Sequence, residues 1–384
     1  MIVTHLGLKN WRNFQTVDLE LQERMFIVGP NAAGKSNLLD AFRFLRDLAR
    51  QQGGGLQNAI SLRGGLSKIR CLAARRDPLV EIDVVLKEEG QIGVEWRYHL
   101  AIEQEVRGNR QPILVKEEVR KNGNLLLLRP NPDDQKDKKR RTQTHLEQIS
   151  ANMEFRPIAD FFASFTYLHL VPQLLRHANA YTGPGLEGDP FGRNFLDHIV
   201  KTPEKTRQAR FKKIEKALCM AVPQLKTLRV SRDETGIPHL EALYEHWRAK
   251  GAKQREDQFS DGTLRLLALF WSLLDGNSLL LLEEPELSLN PSIIRKLPPM
   301  IYRLQKQKKR QVIISTHSAD LLFDKGIGGE EIILLTPDKE GTIARLSSSI
   351  QEIRDLLESG ISPSDAILPH TEPKMVGQLE LFPL

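Results

Sequence analysis

The chain has 384 residues, 40% of them apolar and 27% charged, with a net charge of +6, which is ample for one large or two modest cores and excludes a disordered chain. Its only cysteines, Cys71 and Cys219, are far apart and outside any CxxC pair, which excludes a disulfide framework and a structural zinc site. The longest apolar region, 264–282, is broken by Asp275, Gly276 and Asn277, and the opening MIVTHLGLKNW lacks a basic segment leading into an apolar one, so no membrane span and a cytoplasmic site of action are expected.

Residues 2–20 alternate well enough to predict two antiparallel strands around a turn at Asn10 to Asn13, and MFIVG follows as a short buried strand. From Pro78 to Pro130 the pattern is a β-meander with Gly and Asn turns. NPDDQKDKKRR, 131–141, has no apolar residue to bury and reads as a disordered loop. Helical signals run from Thr142 to Val222, broken by TGPGLEGDPFG at 182–192, and a hairpin then turns at Glu234-Thr235-Gly236. The next segments alternate strictly: helix 262–274, strand 278–283, helix 291–308, strand 311–316, helix 318–324, strand 331–336. That order means a parallel sheet with crossover helices. TIARL and SIQEIRDLLES close the fold, and a Pro-rich tail is expected from Gly360 onward.

Basic runs lie at 136–141, 207–216 and 303–310. They permit a polyanionic partner, and they read equally as solvated helix faces and a loop, because acidic residues interleave with two of them.

GPNAAGKS, 29–36, fits G-x-x-x-x-G-K-S/T between an apolar strand and a helix starting near Lys35, the context a phosphate loop requires. Gly29, Pro30, Asn31, Ala32, Ala33 and Gly34 wrap phosphate oxygens with backbone N–H groups, Lys35 reaches the β- and γ-phosphates, and Ser36 ligates Mg²⁺ with Asn37 following. ATP and Mg²⁺ are the expected ligands. LLLLEEPELSLNP, 279–291, is a buried strand ending in two carboxylates. Glu283 takes the place of a Walker B acid on Mg²⁺, whereas Glu284 points to the other side, where a general base would polarise water.

Three further stretches resemble motifs of the ABC-type ATPases. FSDGTLRLL, 259–267, is similar to their signature motif, with Ser260 and Gly262 at a helix N-terminus that binds the γ-phosphate of a second subunit's nucleotide. His317 in IISTHSADLL resembles the switch histidine, and SLNP, 288–291, the D-loop that crosses the dimer interface. With LGLKNWRNF, 6–14, these residues resemble the RecF/SMC branch and the compact AAA-family (OLD/RecF-like) ATPases without a Toprim domain. The resemblance covers the two ends of the chain, while 78–250 matches weakly. It implies an α/β P-loop ABC-ATPase head, 1–77 with 225–360, an antiparallel β-subdomain at 78–130, a helical insert at 142–224 and a tail at 361–384. It also implies that Arg12 and Asn13 lie near the base, and that Gln173 in LHLVPQLLR is the Q-loop residue sensing Mg²⁺, although an ordinary buried or surface glutamine fits as well.

Two departures stand out. The signature reads SDGT where the family has SGGQ, and position 283 carries glutamate in place of aspartate. The extra methylene moves the carboxylate by about 1.5 Å, so slow hydrolysis is expected, with Glu284 retained as base.

The 224 residues between Ser36 and Ser260 argue against a transporter ATPase, and the 67 residues after His317 hold no acidic cluster for a Toprim nuclease. The middle is too rich in Gly and Pro for an SMC-type coiled coil. Two outputs stay open: a homodimer acting on DNA in the manner of RecF, or an ATPase controlling a separate effector in an antiphage or toxin-like system. Gln378 to Phe382 resembles the QL-S/D-LF peptide that docks on the sliding clamp, and packing of this tail on its own head is the alternative.

Overall fold

The leucines of 279–282 divide between two cores in the computed structural model of the protein, which describes residues 1–88, 93–105, 110–176, 191–192, 194–245 and 251–372. Leu279 and Leu281 face one apolar cluster, and Leu280 and Leu282 face the other. A strand buried on both faces has no reason to alternate, which accounts for the unbroken apolar run.

The strands are β1 (Ile2–Trp11), β2 (Phe14–Glu20), β3 (Arg24–Val28), β4 (Val80–Lys87), β5 (Glu95–Gln104), β6 (Pro112–Lys121), β7 (Asn124–Arg129), β8 (Thr166–Leu168), β9 (Leu225–Arg232), β10 (Pro238–Tyr244), β11 (Ala252–Arg255), β12 (Leu280–Glu283), β13 (Val312–Thr316), β14 (Ile332–Asp338) and β15 (Gly341–Leu346). One six-stranded sheet has the order β2-β1-β4-β5-β6-β7 and is antiparallel, so the meander continues the sheet that the first hairpin starts. The second has the order β15-β14-β3-β13-β12-β8, parallel except for the β14–β15 pair. A third sheet orders β11-β10-β9.

The helix Lys35–Ala49 lies between the two large sheets. Leu38, Leu39, Phe42 and Leu45 are buried in the first cluster with Met25 and Ile27 of β3, and Phe44 meets Trp11 edge-on with ring centroids 5.3 Å apart. The opposite face of β3, Phe26 and Val28, joins the second cluster with the helix Asp261–Leu274. Thus β3, feeding the phosphate loop, is clamped on both faces and both edges.

Several expectations change. Residues 131–141 are ordered, with a helix at Pro132–Lys136 capped by Asn131, whose Oδ1 accepts from Asp133 N and Asp134 N at 3.0 Å. Burial here is ionic. Arg129 and Asp134 have fully buried side chains, and the guanidinium donates to Asp134 at 2.8 and 3.0 Å and to Glu117 at 3.1 Å. A strand, β8, interrupts the region read as helical and forms the edge beside β12. The expected helix 291–308 splits into Pro291–Ile294 and Leu297–Lys308, and 318–324 contains only a 3-10 turn at Leu321–Phe323. The first part of the expected tail is a short helix, Pro363–Ile367, whose Ala366 and Ile367 are buried in the second cluster. The peptide Gln378 to Phe382 and most of the 182–192 loop lie outside the described residues.

Among the described residues, no helix is long and apolar enough to cross a membrane.

Candidate functional site

The chain leaves β3 at Val28 and turns through Gly29 to Gly34 into the helix Lys35–Ala49. Ala32 and Gly34 take left-handed backbone, with φ of 63° and 98°, which closes the loop tightly. Its glycines have no room to spare: a Cβ on Gly29 would lie 2.8 Å from Leu335 O, and one on Gly34 would collide with the Asn13 amide. Pro30, Asn31 and Ala33 complete the turn, and Ala33 N donates to Pro30 O at 3.2 Å. Lys35 is buried, with Nζ donating to Gly29 O at 2.9 Å and Pro30 O at 3.2 Å. Burial pushes its ammonium below the usual lysine range, against the pull of the carboxylates of Glu284, Glu286 and Glu283.

Asn13 braces this loop. Its Nδ2 donates to Ala33 O at 2.9 Å and to Thr342 Oγ1 at 2.8 Å, while its Oδ1 accepts from Asn37 Nδ2 at 2.8 Å. Thr342 N returns a bond of 2.7 Å to Asn13 O, so β15 and the first hairpin hold the phosphate loop together. Arg12 is turned to the helix, donating to Asp40 at 2.9 Å and to Lys68 O at 3.1 Å. Gly34→Ala is therefore expected to cost about 1–3 kcal/mol of stability through its positive φ and to displace Asn13. Thermal melting and titration with a fluorescent ATP analogue should show a lowered melting point and lost binding.

Ser36 and Glu283 meet. The Ser36 hydroxyl donates to one oxygen of Glu283, and the Tyr167 hydroxyl on β8 donates to the other. Burial, with the Glu283 charge, pushes the Tyr167 phenol up, so it stays a donor. The Arg43 guanidinium covers its ring at 4.4 Å from the centroid. The reach of glutamate thus ends on Ser36, and the hydroxyl and carboxylate oxygens brought together are the hard donors that suit Mg²⁺.

Glu284 sits just beyond, with left-handed φ of 44° and its N donating to Ser315 O at 3.0 Å. That conformation is costly for glutamate, and its carboxylate finds a different partner from that of Glu283. Its Oε1 lies 3.1 Å from His317 Nδ1 at the end of β13.

The remaining candidates gather elsewhere. Ser260 is exposed and caps the helix Asp261–Leu274, accepting from Thr263 N at 3.2 Å. Gly262 packs on the D-loop-like stretch, where a Cβ would lie 2.9 Å from Ser288 O. Gln173 is placed at this helix end, donating to Asp261 Oδ2 at 3.4 Å, with Arg176 at 2.6 Å from Asp261 Oδ1. The group that flanks Ser36 and Glu283 is Tyr167, which sequence reasoning missed, as it missed Thr342. The short aromatic alternation FTYLHL was the available signal for β8.

A family model described as "AAA domain, putative AbiEii toxin, Type IV TA system" matches residues 24–324. The chain belongs to this AAA family. Within it, the phosphate loop, double glutamate, signature-like helix and histidine mark an ABC/AAA-type ATPase of the RecF/SMC branch, and membership implies nucleotide binding. The DNA replication and repair protein RecF of Roseiflexus castenholzii is 33% identical over 105 residues, 24% of this chain and 27% of that protein. The Old nuclease of Escherichia phage P2 is 33% identical over 138 residues, 30% of this chain and 23% of the nuclease. The chain therefore spans about a quarter of the length of these curated relatives. An SMC head bound to the C-winged helix domain of ScpA shares the fold, with a TM-score of 0.56 and 16% identity over 90% of this chain and 98% of the head. This AAA protein thus has the P-loop ABC-ATPase head fold.

Proposed function

We propose that the protein hydrolyses ATP as a head-to-tail homodimer and acts on DNA. Each nucleotide would sit between the phosphate loop of one copy and Ser260 of the other. The observation that carries this reading is the division of the motifs. Ser36 meets Glu283 and Glu284 meets His317 beside one loop, while Ser260 is exposed at the N-terminus of another helix, an end that would bind an anion. Ser36 and Glu283 would hold Mg²⁺, whose charge offsets that of the phosphates. Lys35 binds the β- and γ-phosphates, Glu284 takes the proton of the attacking water, and His317 orients Glu284 through its 3.1 Å contact.

In a two-fold dimer each interface patch is used by both copies, so complementation tests the arrangement. Lys35→Ala and Ser260→Arg should each be inactive alone, and their mixture should regain ATPase activity through sites built from one intact face of each. A mixture as inactive as its parts would overturn the head-to-tail reading.

Action on DNA draws on the printed roles of the RecF and Old nuclease relatives and on the basic runs at 207–216 and 303–310. Binding to duplex DNA should be measurable at low salt and fall steeply as salt rises. The family description, which names the AbiEii toxin and a Type IV TA system, favours a second reading in which the ATPase controls a separate effector. Absence of DNA binding at low salt would favour that one.

A further inference from the structure

Glu286 is a buried carboxyl that the reading above does not use. It is 4% exposed, two residues beyond Glu284, and its Oε1 accepts from Thr316 Oγ1 at 2.5 Å. Among the described residues its Oε2 has no hydrogen-bond partner. Burial pushes this carboxyl above its ordinary range, while the Thr316 hydrogen bond pulls the other way. An apolar side chain would occupy such a place at lower cost. The gain from a carboxyl there lies in the bond it makes.

That bond joins two segments of the candidate site. Thr316 is fully buried at the end of β13, and its Oγ1 also accepts from Ser318 N at 3.0 Å, so one hydroxyl ties Glu286 to the turn that carries His317. His317 in turn contacts Glu284. On the other side, Glu286 O accepts from Leu289 N at 3.1 Å, anchoring the loop in which Ser288 is left-handed, with φ of 61°. The Ser288 carbonyl rests against Gly262, two residues from Ser260. A continuous chain of packed groups therefore runs from Gly262 through Ser288, Glu286, Thr316 and His317 to Glu284. It connects the face offered to a second subunit with the centre of the first.

We propose that Glu286 is a positioning residue that couples the Ser260–Ser288 face to the orientation of His317, so that docking of a second subunit sets the geometry at Glu284. The inference rests on the head-to-tail ATPase reading. Contiguity alone does not prove coupling, and a cycle of variants does. Nucleotide binding and turnover by the wild-type protein report on that reading, and the coupling is read from variants relative to it.

Glu286→Ala is expected to lower kcat about tenfold while the affinity for ATP, measured without turnover, stays unchanged. Thr316→Val should reproduce this loss, the double variant should be no slower than either single one, and Glu286→Gln, which keeps an oxygen for Thr316, should recover most of the rate. Wild-type kcat in Glu286→Ala, additive losses in the double variant, or a loss expressed as weaker ATP binding would each overturn the proposal. If Glu286→Ala does not fold, the contrast between Glu286→Gln and Thr316→Val decides: equal rates in the two overturn it.

Discussion

With Glu284 replaced by glutamine, the protein is expected to bind ATP, pair with a second copy and stop. Glutamine matches glutamate in shape, so it can keep the left-handed backbone at φ 44° and the bond from its N to Ser315 O. It cannot accept a proton from water as a carboxylate can. Losing a general base costs about 10²- to 10⁴-fold in rate, and a dimer held by two unspent nucleotides should then accumulate. Phosphate release would fall to the detection limit, and size-exclusion chromatography with light scattering in ATP would show the shift from monomer to dimer mass. Normal turnover would remove Glu284 from the role of base. The neighbouring Glu283 behaves differently, because both of its oxygens are already engaged by Ser36 and Tyr167.

The second large effect is on stability. Arg129 lies at the end of β7 with a fully buried side chain, bonded to Glu117, Asp134, Gln143 O and Arg140 O. Arg129→Ala would take the shared cation from the buried Glu117 and Asp134, leaving Asp134 only the Arg140 cation at 3.4 Å, and breaking a buried pair in this way costs about 3–5 kcal/mol. Chemical denaturation should show that loss, and limited proteolysis should find new cleavage in 131–141, the segment Arg129 holds in place. An unchanged midpoint would mean that the network contributes nothing. The pH dependence has a definite sign. Burial pushes Asp134 up, but the hydrogen bonds from Arg129 and Asn131 N overcome it and hold its pKa at about 2. Its contribution is complete above the ordinary aspartate value of about 4 and is lost as the pH falls through the native value. The Arg129→Ala protein, without that depression, should unfold at a higher pH on acid titration than the wild type.

Much of the half built around β3, β12 and β13 was legible because its signals are local. GPNAAGKS and LLLLEEPELSLNP each state a strand, a turn and a functional side chain within a dozen residues, and Ser36 meets Glu283 although 247 residues separate them. The order β12, β13, β14 followed from hydrophobic period alone, although the stretch 318–324, which reads as a crossover helix, holds only a 3-10 turn. What escaped reading depends on partners that local pattern does not name. Tyr167 is 116 residues from Glu283, and its three-residue strand is too short to show a period. Residues 131–141 looked disordered because burial was judged by apolar content, whereas Arg129 and Asp134 bury one another. Ala366 and Ile367 were assigned to a tail because a five-residue helix carries little amphipathic signal. Glu286 has no signal of its own in the sequence, because its partner Thr316 lies 30 residues away on β13.

The placement of β3 between β14 and β13 also bears on how the protein comes to exist. The strand that feeds the phosphate loop is made well before its two neighbours, whose paired residues come 288 (Arg24 to Val312) and 306 (Phe26 to Ile332) residues later, and Asn13 waits for Thr342. Val3 closes on Gln311 across 308 residues in the same way. A nascent chain that ends before Thr342 therefore carries the entire GPNAAGKS motif without the two Thr342 bonds that hold its brace, Asn13. Throughout that interval Met25 to Val28 present two unpaired, apolar strand edges, the kind of surface that chaperones cover and that aggregates when left bare. Nucleotide binding by ribosome-bound chains would then strengthen once β15 brings Thr342 to Asn13 beside the first turn of the helix Lys35–Ala49.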